Sequence, residues 1–208
     1  MISQPTFDLV FADPNQSLIK ALKQEFEPYS RVGTHIGRFE DVPFDCVVSP
    51  ANSFGLMDGG VDEAITMYFG QQMMDRVQEK VIEHFAGEQP VGTSMIVRGT
   101  EIDDPNVKFV AHTPTMMIPM NIGHTTNVYM AFKSMLLAVE AHNKNHSEYP
   151  INIVVCPGMG TGAGRVPYLR AASAMREAYQ NAYNPPKEIS WEFATTRYNN
   201  IRNAHNVQ

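Results

Sequence analysis

Only two of the 208 residues are cysteine, Cys46 and Cys156, and only one is tryptophan. Both thiols sit inside apolar runs that read as strands, so they are expected as buried, inert groups. Two thiols are too few for a disulfide framework or a thiolate metal site. Positive charge is also scarce: 16 Lys and Arg stand against 22 Asp and Glu, a formal net charge of -6. A chain of that sign gains little from counterion release, which excludes duplex nucleic acid as a main partner. No apolar run approaches the ~20 residues of a membrane span. The opening MISQPTFDLV has neither the basic start nor the apolar stretch of a secretory leader, so the expected location is the cytoplasm. Of the seven histidines only His142 and His146 fall at His-x-x-x-His spacing, one pair is short of a metal-ligand set, and neither a metal nor a cofactor is expected. Repeats, low-complexity blocks and linkers are missing too.

What is present is an ordinary globular composition, 43% hydrophobic and 18% charged, in a length that suits one domain. Thirteen dispersed methionines read as core filling. Strands are predicted at 7–12, 31–36, 44–48, 95–97, 108–111 and 151–156. Between them run helical patterns, the first opening at Asp13-Pro14-Asn15-Gln16 with Asp13 as cap. Later ones cover 61–70, 75–85 (Val77, Val81, Ile82 and Phe85 on one side), about 126–142, and a stretch opened by Pro167. Such alternation predicts an α/β fold, a three-layer α/β/α domain whose central sheet is mixed and mainly parallel. The domain is taken as 1–184. Residues 185–208 are a C-terminal extension, with Ile189, Trp191 and Phe193 alternating as one short strand before a loose polar tail.

In an open α/β sheet, ligands lie at the C-terminal ends of the strands. Two glycine-bearing loops leave apolar strands there. The later one, Gly158-Met159-Gly160-Thr161-Gly162-Ala163-Gly164, has glycine at every second position. Bare backbone N–H groups before a helix suit an anion, phosphate above all. No Gly-Lys-Ser/Thr follows, so it is not a Walker loop. Its place near the C-terminus also separates it from the usual dinucleotide fingerprint. The earlier loop, Ser49-Pro50-Ala51-Asn52-Ser53-Phe54-Gly55-Leu56-Met57-Asp58-Gly59-Gly60-Val61-Asp62, offers an amide, more glycine N–H groups and a carboxylate just inside a helix. Taken alone, Asn52 is a loop-bracing amide and Asp62 a helix-end carboxylate.

Together and in this order the two loops resemble the macro domain family. Ser49-Pro50-Ala51-Asn52 and Gly60-Val61-Asp62 align without a gap with the family's Asn-Ala-Ala-Asn … Gly-Val-Asp loop, and Gly160 to Pro167 with its phosphate-binding loop. Gly37 falls on the glycine of the Gly-Asp-Ile motif, and Asp45 on an aspartate that opens the third strand. The resemblance spans roughly residues 30 to 180. It implies binding of ADP-ribose or a close derivative by Ser49, Ala51, Ser53, Phe54, Gly59, Gly60, Val61, Gly160, Thr161, Gly162, Ala163, Gly164 and Arg38, with Asn52 and Asp62 as catalytic pair. ADP-ribosylated proteins are the implied macromolecular partners. The family's adenine-reading aspartate falls at Arg38, which can stack on a ring but cannot accept a hydrogen bond, so either Glu40 or Asp41 substitutes as acceptor or the base is a different one. Ser49 replaces the first asparagine, Gly164 the aromatic over the distal ribose, with Phe54 as a substitute surface, and Thr66 a histidine of some hydrolytic members. His112 reads as structural and His124 as a solvated loop residue. Asp62, beside a helix N-terminus, is expected to stay ionised and orient a water. Three functions remain: a hydrolase of an ADP-ribosyl ester or ADP-ribose-1''-phosphate, a non-catalytic reader or sequestering protein, and a scaffold.

Overall fold

The computed structural model describes residues 4–101, 104 and 106–204. The elements follow in the order β1 (Asp8–Asp13), α1 (Gln16–Phe26), β2 (Val32–Ile36), a 3-10 turn (Phe39–Asp41), β3 (Cys46–Ser49), α2 (Gly60–Phe69), α3 (Gln72–Phe85), β4 (Met95–Arg98), β5 (Phe109–His112), α4 (Asn127–Asn145), β6 (Ile153–Cys156), α5 (Tyr168–Tyr183) and α6 (Trp191–Ala204). The strands form one sheet, β2-β1-β6-β3-β5-β4, in which every neighbour is parallel except antiparallel β4 and β5.

Period-2 alternation feeds two cores. Leu9 and Phe11 of β1, Cys46 and Val48 of β3, Phe109 and Ala111 of β5, and Val154 and Cys156 of β6 point to one side. There they meet α1, α4 and α5. Ala12, Val47, Val110 and Val155 point to the other, against Ile65 of α2 and Met73, Val77 and Val81 of α3. The result is the three-layer α/β/α domain with a mixed, mainly parallel sheet. Both cysteines are fully buried and free. Asp45 ties the start of the central strands together by accepting the Asn152 and Ile153 N–H groups at 2.7 and 2.9 Å.

Four local readings change. The cap of α1 is Asn15, whose Oδ1 accepts from Ser17 and Leu18 at 3.1 Å each. Asp13 instead accepts the Asn15 N–H at 2.8 Å and, across the sheet end, that of Gly158 at 3.2 Å. Ile82 is 66% exposed, because the apolar face of α3 is the narrower stripe of Met73, Val77 and Val81. Methionine is divided: Met57, Met73, Met135, Met159 and Met175 fill the core, whereas Met67, Met117, Met120 and Met130 are exposed. The predicted strand around residues 189–193 is the entry to helix α6. Ser190 Oγ accepts the Phe193 N–H at 3.1 Å and Ser190 O the Ala194 N–H at 2.9 Å, a helix-start pattern that overrides three alternating apolar residues. Ile189 and Trp191, 84% and 89% exposed, pair with no strand. Helix α6 packs beside α5, and residues 205–208 of the expected loose tail lie outside the described residues.

Candidate functional site

The parallel strands aim their C-terminal ends at one rim, and the loops leaving them enclose a cleft of about 750 Å³. Sheet order sets the order of its walls. Arg38 and Glu40 follow β2, Asp13 ends β1 and Asn15 follows it, the glycine loop follows β6, residues 50–62 follow β3, and Met116 and Pro119 follow β5. The two loops singled out in the sequence are neighbours because β6 and β3 are neighbours.

The glycines of the β6 loop do different jobs. A Cβ at Gly158 would strike Leu18, one at Gly160 (φ +70) would meet Val128 at 2.8 Å, and one at Gly164 would strike the Gly160 carbonyl. These three are required by packing. Gly162 has nothing within 4 Å, so its bareness faces the cleft alone. Three bonds fix the loop: Arg165 N–H to Gly162 O, Val166 N–H to Gly160 O and Ile122 N–H to Gly164 O. The N–H groups of Gly160, Thr161, Gly162, Ala163 and Gly164 themselves donate to no acceptor among the described residues. Opposite them, α2 starts at Gly60 after Gly59, which can offer no capping side chain. Its first N–H groups, on Gly60, Val61 and Asp62, also find no acceptor among the described residues. Rows of free N–H groups flanking a cleft, one at the positive end of a helix, make an anion site from backbone alone.

Asp62 reaches the cleft but is only 7% exposed. Burial pushes its carboxyl from an ordinary 3.8 up to about 6, against the pull of the Ser49 hydroxyl and with a further rise from the Asp58 charge. The Ser49 hydroxyl donates to Oδ1 at 2.8 Å. Desolvation therefore outweighs the helix dipole, and the carboxylate expected to stay ionised is a group poised near neutrality. Asn52 lines the cleft while bracing its own loop: its Nδ2 donates to Leu56 O at 2.7 Å and its Oδ1 accepts from Phe54 and Leu56 at 3.0 and 3.3 Å. A bridge to Met116 ties it to the β5 loop.

Of the residues named from the sequence, Arg38, Ala51, Asn52, Gly59, Gly60, Val61, Asp62, Gly160, Thr161, Gly162, Ala163 and Gly164 line the cleft together. Ser49, Ser53 and Phe54 do not. Ser49 is fully buried behind Asp62, as its hydrogen bond requires. Ser53 is fully buried, its backbone pinned between Met117 and Gln89, and Phe54 turns away so that Leu56 forms the apolar wall. Thr66 donates to Met57 O at 3.0 Å and fastens the loop to α2. His112 is fully buried, with Nδ1 2.6 Å from Gln89 Oε1 and its pKa drawn down to about 3 by burial, so it stands neutral behind the site. His124 is exposed away from the lining. Among the described residues no group of three or more His, Cys, Asp or Glu could hold a metal, and no helix is long and apolar enough to cross a membrane.

At the β2 end, Arg38 Nη2 lies 3.2 Å from Glu40 Oε1, while Glu40 Oε2 is buried with no partner. Asp41 is already engaged, accepting the Arg38 N–H at 2.7 Å. Sequence reading missed Asp13, Asn15 and Tyr168 as wall residues; Asn15 Nδ2 donates to Tyr168 Oη at 2.7 Å, joining the starts of α1 and α5. The position of Asp13 and Asn15 just past a strand end was the signal available. Asp58, also missed, lines the cleft beside Asp62.

Comparison with known proteins agrees with this architecture. The macro domain family model matches residues 48–175. An uncharacterized protein of Aquifex aeolicus (strain VF5) is 35% identical over 141 residues, 68% of this chain and 76% of its own. The macrodomain of Mycobacterium tuberculosis DarG superposes with a TM-score of 0.54 at 16% identity, covering 71% of this chain and 89% of that one. A variant Oceanobacillus iheyensis macrodomain with ADPR gives 0.54 at 18% identity, covering 80% and 89%. This chain belongs to the macro domain family.

Proposed function

We propose that the cleft binds ADP-ribose and that the protein hydrolyses an ADP-ribosyl ester. The observation that carries the reading is the row of free N–H groups from Gly160 to Gly164 facing the uncapped start of α2, a diphosphate cradle with no basic side chain in it. Relatives of the same fold have been solved with ADPR and with ADP. With the diphosphate over Gly162, the adenosine extends toward the β2 end and the distal ribose toward Asn52 and Asp62. The unpartnered Glu40 Oε2 then accepts from the adenine amino group, and the Arg38 guanidinium holds the other carboxylate oxygen and covers the ring.

At the distal ribose, Asp62 takes a proton from a water whose oxygen attacks the anomeric carbon. The bond from that carbon to the ester oxygen breaks, and the acyl group leaves as a carboxylate. A base works best with a pKa near the working pH, which the burial of Asp62 supplies. Ser49 holds the carboxylate in place through Oδ1. The test is calorimetric binding of ADP-ribose beside release of ADP-ribose from a carboxylate-linked protein adduct, with Asp62→Ala in both. Binding that survives while turnover drops by ~10²–10⁴-fold supports the assignment. Tight binding with no wild-type turnover would replace the hydrolase by a reader.

A further inference from the structure

The charges lining the cleft are Asp13, Arg38, Glu40, Asp58 and Asp62, four carboxylates against one guanidinium. Their placement is uneven. Arg38 lies past β2 and is paired with Glu40. Asp58 and Asp62 lie past β3, three strands away, or about 14 Å at the usual strand spacing. That separation exceeds the Debye length of ~10 Å at 0.1 M salt, so Arg38 does little to neutralise them. The side chains beside them, Asn52, Leu56, Met116 and Pro119, carry no charge, and Arg38 is the one guanidinium among the lining residues. Asp58 stands close enough to Asp62 to make the latter harder to ionise, and it is exposed. Asp62 Oδ1 is held by Ser49, and among the described residues no donor is found for Oδ2.

From this layout we infer that Asp58 and Asp62 make the distal end of the cleft selective for ADP-ribosyl compounds with a neutral or cationic substituent on the anomeric carbon, and exclude ADP-ribose-1''-phosphate as a preferred ligand. The inference rests on the orientation of ADP-ribose given above and narrows its substrate class. The diphosphate escapes the same repulsion because it sits among backbone N–H groups in the middle of the cleft. A phosphate monoester on the anomeric carbon has no such donors in reserve, since those of the glycine loop and of the facing α2 start both go to the diphosphate. It would bring roughly -1.5 to -2 of charge beside two carboxylates. An ester is neutral until its bond to the ribose breaks. An amine or guanidine adduct adds an attraction to Asp58 and Asp62.

The experiment is calorimetry at low ionic strength with three ligands, ADP-ribose, ADP-ribose-1''-phosphate and ADP-ribosyl-agmatine, on the wild type and Asp58→Asn. Asp58 is exposed and asparagine is nearly isosteric, so the variant folds. The 1''-phosphate should bind wild type on the order of tenfold more weakly than ADP-ribose, as expected for a multiply charged group near a carboxylate in a solvated cleft. The agmatine adduct should bind at least as tightly as ADP-ribose. Asp58→Asn should shrink the phosphate penalty to within about threefold, and added salt should shrink it in wild type. Equal or tighter binding of the 1''-phosphate to wild type, with ADP-ribose itself bound, overturns the inference and leaves the binding site standing. A penalty that persists unchanged in Asp58→Asn also overturns it. Failure to bind ADP-ribose at all removes the underlying reading of the cleft, and the inference with it.

Discussion

Consider Asp62→Asn. The side chain is 7% exposed and its carboxyl titrates at about 6 instead of an ordinary 3.8. A raised carboxyl pKa means that the ionised form is disfavoured in the folded state. The cost is fully present above about pH 6 and disappears as the pH falls toward the unfolded value, because the folded protein then takes up a proton. A shift of about two units corresponds to about 3 kcal/mol at 1.36 kcal/mol per unit. Asparagine keeps the oxygen that accepts from Ser49 and carries no charge. The variant should therefore be more stable than wild type at pH 8 by about 1–3 kcal/mol, the lower figure allowing for relaxation around the charge. For a domain of this length that is roughly a 2–12 °C rise in Tm. The gain should close between pH 6 and 4, where wild type carries the proton, and hydrolysis by the variant should be lost throughout. Thermal unfolding of both proteins from pH 4 to 8 checks this. Equal stability at pH 8, or a gap that widens in acid, would refute the argument that burial sets this pKa.

Three further outcomes are expected. Gly162→Val, at a position with open space and no positive φ, should keep its Tm within about 2 °C yet weaken ADP-ribose binding by about tenfold or more, as loss of a charge-assisted hydrogen bond would; calorimetry with a melting curve reads both. Glu40→Ala should reduce the preference for ADP-ribose over its inosine counterpart by about tenfold, whereas Asp41→Asn, which can still accept from Arg38, should preserve it in the same competition assay. Asn52→Ala removes three hydrogen bonds from the β3 loop and should lower stability by about 1–3 kcal/mol in denaturant unfolding while weakening binding and turnover together.

The sequence carried the fold because its strands are short apolar runs bounded by loops, and its helices repeat at 3.6 residues. Reading failed where two signals competed within a few residues. At 13–15, Asp and Asn both suit a cap, and only geometry gives Asn15 to the helix and Asp13 to Gly158. At 189–193, an alternating apolar trio masked the Ser190 cap. The glycine loops were legible as a pair because bare backbone leaves a direct mark in sequence. Burial does not: nothing in Gly60-Val61-Asp62 says that Asp62 is desolvated, and nothing separates Gly162 from the three glycines that packing demands. Glu40 and Asp41 were equivalent candidates until the backbone N–H of Arg38 claimed one of them.

The place of β1 in the sheet has a consequence for making pieces of this protein. The family match begins at residue 48, yet β1 lies inside the sheet between β2 and β6, and it contributes Leu9 and Phe11 to the larger core. A fragment cut at the limits of that match would leave β6 as an open edge with its N–H and C=O groups unpaired beside exposed Val154 and Cys156. Such a fragment invites strand-to-strand aggregation, and it would also lack Asp13, Asn15, Arg38 and Glu40. The N-terminal boundary for expression belongs before Phe7, so that β1 and the larger core stay whole.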